Sequence, residues 1–108
     1  MGTKDSEYSN QVGEVAERAV DLFQTLGQVT WRKMFGGVGI FIEDSMFALV
    51  DSAGRLHLKV DDSNKDRFVE ADASKHTRMP YYSVPDFVLD DDRELLDWAS
   101  ESASIART

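Results

Sequence analysis

Between residues 12 and 26 the apolar side chains return every three or four positions: Val12, Val15, Ala16, Ala19, Leu22, Phe23 and Leu26. Glu14, Glu17, Arg18 and Asp21 fall mostly on the opposite face. That period predicts an amphipathic helix over 12–26 with one stripe against a core. Gly27 follows, and the left-handed conformation open to glycine predicts a stop there. Ser6, Ser9 and Asn10 compete as N-cap, since none has Glu or Gln three residues later. The first six residues read as a frayed tail.

From residue 29 the pattern shortens to strands. Val29–Phe35 and Val38–Ile42 are separated by Gly36 and Gly37, and Met46–Val50 follows a turn at Glu43, Asp44 and Ser45. Asp51-Ser52-Ala53-Gly54 has the composition of a hairpin loop before a fourth strand, Arg55–Val60. In that strand Leu56, Leu58 and Val60 alternate with Arg55, His57 and Lys59, which predicts one covered face and one wetter face. Connections of two to four residues leave no room for parallel crossovers. Asp62–Ala71 reads as a short helix turning Phe68 and Val69 inward, and 72–80 as a polar connection. Tyr81–Val84 is a fifth strand closed by Pro85. A last helix starts near Asp91, where Asp91 and Glu94 have capping-box spacing and Leu95, Trp98, Ala99 and Ala103 mark its buried stripe. The order α-β-β-β-β-α-β-α predicts a two-layer α+β domain, helices packed on a five-stranded antiparallel meander.

Composition fits one core and removes several chemistries. At 108 residues, 42% hydrophobic and 30% charged, with two prolines, the chain is neither collagen-like nor disordered. The expected domain spans 1–108, with its core at about 12–102. Cysteine is absent, which excludes disulfides, thiolate zinc sites and cysteine nucleophiles. No apolar run approaches the roughly 20 residues that span a bilayer, and no signal peptide is visible, so a soluble cytoplasmic protein is expected. The net charge is −8, but residues 29–84 hold eight acids and eight bases, so both ends carry the excess. Such a chain repels nucleic-acid phosphates and anionic membranes alike, and neither duplex DNA nor a membrane is expected as a partner.

Candidate chemistry is thin. Gly36-Gly37-Val38-Gly39 lacks the rest of a phosphate-loop pattern and precedes a strand, so hairpin glycines account for it better. Asp90, Asp91 and Asp92 with Glu94 lack calcium-loop spacing, and a helix N-terminus explains them. His57 and His76 are the only histidines, which is read as ruling out a multi-histidine metal centre. His57 falls on the outward phase of its strand, and His76 in a polar loop. No nucleophile elbow is present. Met1–Ser6 fits the loose N-myristoylation pattern, which arises readily by chance. Trp31-Arg32-Lys33-Met34-Phe35 interleaves bases with aromatics, as single-strand binders do, yet core packing of the aromatics is the preferred account.

Several of these segments together resemble one family. Met34-Phe35-Gly36-Gly37-Val38-Gly39-Ile40-Phe41, then Met46-Phe47-Ala48-Leu49-Val50, then Leu56-His57-Leu58-Lys59-Val60-Asp61 are similar to the N-terminal domain of the TfoX/Sxy competence regulators. Met79-Pro80-Tyr81-Tyr82-Ser83-Val84-Pro85 and Leu96-Asp97-Trp98-Ala99 continue the likeness in unbroken order over about 12–102. The resemblance implies a secretion-chaperone-like α/β fold and regulation of bacterial DNA-uptake competence through the transcription machinery. It brings no enzymatic residue, cofactor or metal. The full-length regulators also carry a C-terminal domain, and this chain stops after the final helix of the first.

The expected function is therefore a non-enzymatic regulatory or adaptor domain that binds an unidentified protein, as a monomer or a homodimer. Its motif residues are Met34, Phe35, Gly36, Gly37, Gly39, Phe47, Leu58, Lys59, Tyr82, Pro85 and Trp98, and Trp31, Arg32, Lys33 and Tyr81 form the expected interaction surface. The alternative is a small-molecule or nucleotide binder using the Gly36–Gly39 hairpin. A small hydrolase built on His57 or His76 is the third reading.

Overall fold

A computed structural model describes residues 10–108. The expected frayed tail, the caps Ser6 and Ser9 and the myristoylation pattern lie outside them. Helix α1 spans Asn10–Phe23 and buries Val12, Ala16, Ala19 and Phe23. It is shorter than its period suggests, because Gln24–Leu26 tightens into a 3-10 turn. The Gly27 N–H closes that turn on the Gln24 carbonyl at 3.3 Å. Its backbone (φ 153°, ψ −158°) lies in a positive-φ region that only glycine adopts readily, and a Cβ there would come within 3.1 Å of Ile42 Cδ1. Gly27 thus ends the helical segment at positive φ as expected, though outside the left-handed helical well, and close packing against β2 adds a second demand for glycine.

Five strands follow: β1 Val29–Met34, β2 Gly37–Ile42, β3 Ser45–Val50, β4 Leu56–Lys59 and β5 Tyr81–Ser83. They form one antiparallel sheet in chain order, as the short connections require. Two connections are two-residue hairpins with both central residues at positive φ: Phe35 and Gly36 (50° and 78°), then Glu43 and Asp44 (49° and 70°). Positive φ at both positions matches the right-handed twist of the strands. Between β2 and β3 the register slips once, so that Ile40 faces Ala48 while Phe41 faces Met46. The extra residue is Phe47. This bulge lets Phe47 and Ala48 both join the core, with Phe47 5.4 Å from Phe23.

Asp61–Asn64 forms a turn before helix α2, Lys65–Glu70, with the Asp61 carboxylate accepting from the Ser63 N–H at 2.8 Å. Phe68 points inward as expected, but Val69, about 100° further round this short helix, is half exposed. Pro85 opens an unexpected turn of helix, α3 Asp86–Leu89, its carbonyl accepting from the Val88 and Leu89 N–H groups. Helix α4 spans Asp92–Arg107. Asp91 caps it by accepting from the N–H groups of Arg93 and Glu94 at 3.0 and 3.2 Å, and Leu95, Trp98, Ala99 and Ala103 are buried as predicted.

Helices α1 and α4 pack on one sheet face, over Val38, Ile40, Ile42, Val50, Leu56 and Leu58. Phe68 sits between Trp98 and Tyr82, with ring centroids 4.8 and 6.0 Å away. Arg67 stacks on the Trp98 ring at 4.7 Å while pairing with Asp97 and Glu101. The buried Ser102 hydroxyl donates to the Lys59 carbonyl at 2.7 Å, tying α4 to the end of β4.

The opposite face has no helix over it among the described residues, yet its central positions are buried. Phe41, Leu49, His57 and Tyr81 are each at most 8% exposed. The expectation of a wetter face along β4 is corrected at His57, which is 3% exposed. Met34 and Met46 lean over Gly39 and supply part of the cover. A Cβ at Gly37 would overlap the Val50 carbonyl oxygen, a backbone atom held by the sheet, whereas one at Gly39 would meet the flexible Met34 thioether. Gly37→Ala is therefore expected to lower the urea-unfolding free energy by about 3 kcal/mol, and Gly39→Ala by only about 1 kcal/mol. Equal losses would contradict this account of the two glycines.

Candidate functional site

Strand β1 lies at the sheet margin, paired only with β2 among the described strands. Alternation sends Trp31 and Lys33 to the helix side and Arg32 and Met34 to the other. Core packing of the aromatics was the sequence expectation, and the structure overturns it. Trp31 is 50% exposed and Phe35 97% exposed. Helix α1 meets β1 as well as β2 and β3, yet only Val29 among residues 29–35 is buried, and an open groove beside α1 leaves Trp31 in reach of solvent. Arg32 extends across the second face, its guanidinium 4.4 Å from the Phe41 ring centroid. Phe35 occupies the hairpin tip with φ 50°, a region that costs a side-chain-bearing residue about 1–2 kcal/mol. Tyr81, expected on the same surface, is instead buried at 4% exposure. Its hydroxyl donates to the Met46 carbonyl at 3.1 Å, and burial pushes its pKa up to about 12.

The motif residues divide by role. Met34, Gly37 and Gly39 shape the second face, Phe47, Leu58, Tyr82 and Trp98 fill or flank the core, and Pro85 starts α3. The Lys59 carbonyl receives both Ser102 and the Asn64 side chain. Gly36–Gly39 forms no cradle. Its turn points Phe35 outward, and Gly37 and Gly39 are buried under strand and methionine atoms. A groove of about 1000 Å³ lies between α1 and β1, lined by Glu14, Glu17, Asp21, Trp31 and Val38 among others. A smaller one, about 440 Å³, runs past Val15, Arg18, Arg55 and Leu89. Neither is lined by the hairpin glycines, so nothing here favours the nucleotide reading.

The two histidines, distant in sequence, are brought together. Residues 74–76 fold back beside β5 through the Lys75–Tyr82 bridge, the Ser83 N–H on the Ser74 carbonyl and the His76 N–H on the Tyr81 carbonyl. This places the His76 ring edge-on to His57, with centroids 4.8 Å apart. His57 Nδ1 lies 3.0 Å from the Arg55 carbonyl oxygen; an oxygen of that kind only accepts, so Nδ1 carries the proton. Burial is the main cause that holds the His57 pKa below its ordinary value. The hydrogen bond to the Arg55 carbonyl and the nearby Asp51 carboxylate oppose that shift, while His76 and the Arg55 charge add to it. Asp51 comes from the β3–β4 turn, where its Oδ1 accepts from the N–H groups of Ala53 and Arg55 at 3.0 and 2.9 Å. The argument against a multi-histidine centre rested on count alone. The fold-back that unites both rings with a carboxylate has no local sequence signal.

Comparison with known proteins bears on this arrangement. A 60-residue stretch is 40% identical to the DNA transformation protein TfoX1 of Aliivibrio fischeri, covering 56% of this chain and 28% of that protein. The chain thus matches well under half the length of this curated relative. The family model of the TfoX N-terminal domain matches residues 21–106, from the end of α1 through α4. That span includes the β1–β2 hairpin, the bulged centre of the sheet and the His57–His76 pair. The chain belongs to the TfoX N-terminal domain family.

Proposed function

We propose that the chain is a non-enzymatic regulatory or adaptor module of competence control that acts by docking a protein partner. The β1–β2 hairpin is its contact surface. Phe35 carries this reading. A fully exposed aromatic ring in a left-handed turn opposes folding twice, through its surface and through its backbone. Asn or Gly would serve such a turn better. A residue poor for the fold and well presented to solvent is what a binding tip requires. Half-exposed Trp31 continues the apolar strip, and the outer edge of β1 offers main-chain groups to an added strand. Membership of the TfoX N-terminal domain family and the name of the Aliivibrio fischeri relative, a DNA transformation protein, support the link to DNA uptake. No helix among the described residues is long and apolar enough to cross a membrane. The reading places the module in the cytoplasm, with the transcription machinery as the class of partner.

Phe35→Asn separates folding from binding. The variant is expected to gain about 1 kcal/mol of unfolding free energy, because Asn accepts positive φ more readily. It is also expected to lose the partner that wild type retains from cells grown to competence. A variant that is stabilised and still binds would remove Phe35 from the interface.

Nucleic acid is a separate matter. Arg32 and Lys33 point to opposite faces, and Arg32 and Lys59 stand three strands apart, about 14 Å. Even four phosphate contacts would give a salt slope of only about −3.6. Against a net charge of −8, fluorescence anisotropy near physiological salt is expected to detect no saturable duplex binding. Low-micromolar binding weakened by replacing Arg32 and Lys33 would overturn this and make 31–35 a nucleic-acid site.

A further inference from the structure

We propose that Asp51, His57 and His76 form a binding site for one divalent ion of the zinc, cobalt and nickel group. Each residue offers a ligating atom, and all three atoms lie within 4.8 Å of one another. The donors come from three separated segments: the β3–β4 turn, β4, and the fold-back beside β5. Two of them are held by hydrogen bonds already. With the His57 proton held on Nδ1 by the Arg55 carbonyl, the lone pair stays on Nε2 in the tautomer a metal accepts. A backbone carbonyl on the far ring nitrogen is the usual outer partner of a ligating histidine. Asp51 uses Oδ1 to hold its own turn, and among the described residues no hydrogen bond engages its Oδ2.

The donor set selects the ion. Two imidazoles and one carboxylate suit borderline transition ions, whereas magnesium and calcium prefer an all-oxygen shell. A tetrahedral ion with bonds of about 2.1 Å holds its ligand atoms roughly 3.4 Å apart, so the three groups must close by about 1.4 Å at most. Asp51 and His76 are half-buried, within reach of solvent and of side-chain rotation, while buried His57 is the fixed ligand. Asp51 supplies the one anionic ligand, and the neighbouring Arg55 charge opposes the ion. That balance favours a moderate, reversible site over a permanent one. Three protein ligands leave a fourth position for water or for a group from a bound protein. Occupancy would clamp the 72–80 connection onto β4, which no residue of the β1–β2 hairpin does.

The test uses the untagged full chain titrated with zinc chloride and, for colour, cobalt chloride. One equivalent of zinc is expected to shift the imidazole proton resonances of both histidines and to raise Tm by about 5 °C at saturation. Cobalt is expected to give visible bands of a four-coordinate site. His76→Gln and Asp51→Asn, at half-buried positions, should each weaken zinc by at least about tenfold while leaving the metal-free Tm within a few degrees. His57→Gln should abolish binding, and the other two variants carry the conclusion if it fails to fold. Resonance shifts confined to surface carboxylates, unaltered affinity in His76→Gln, or no saturation by low-millimolar zinc would each overturn the site.

Discussion

A sheet covered by helices on one side only must find a cover for its other side, and most of this molecule follows from that requirement. Strand β2 is buried along its whole length, although helices reach only Val38, Ile40 and Ile42. Phe41 and Leu49 on the opposite face would present a continuous apolar patch without further cover. The chain supplies it from side chains long enough to lie flat: Met34 and Met46 over Gly39, and the Arg32 guanidinium over Phe41. Toward β5 the cover is backbone as well, where 74–76 folds back and brings His76 over His57. Gly39 is small because the methionines need its space. Tyr81 is buried because it spans from β5 to the Met46 carbonyl.

The helical side is fastened differently, by a few polar contacts around a dry centre. The Lys59 carbonyl, at the last residue of β4, accepts from both Ser102 and Asn64. Without them it would be an unsatisfied group beside a core, which costs about 1–3 kcal/mol. Arg67 covers the Trp98 ring and reaches Asp97 and Glu101, so the same tryptophan is packed by Phe68 within and shielded by a cation without. The exposed Arg18–Asp92 pair at 2.9 Å adds little by comparison, since both side chains are mostly in water.

Much of this was legible from period and turn chemistry. The stripe Val12, Ala16, Ala19 and Phe23, the capping Asp91, the four hairpin strands and their neighbour order all follow from local pattern. Two of the misses share one cause: local pattern fixes which way a side chain points but not what lies opposite it. His57 occupies the outward phase, as read, but the outward side is roofed by a segment twenty residues later. Trp31 occupies the inward phase and is half exposed, because it lines an open groove beside α1. Phe35 looked like the end of a strand, since nothing about phenylalanine announces positive φ. The α3 turn was hidden behind Pro85, which closes a strand and opens a helix with equal ease.

The order in which the chain is made gives the Lys59 junction one more meaning. The sheet is built entirely from sequence neighbours, so its hairpins can close as each strand emerges from the ribosome. Helix α4 comes last of the described elements, yet it covers β2, β3 and β4 together and carries Trp98 and Ser102 into place. Until residues 92–107 have been synthesised, the growing chain holds a meander whose apolar side lacks its main lid. Cooperative folding is therefore delayed to the end of translation of this region, and a ribosome stalled before Trp98 would display a sticky half-sandwich in place of a domain.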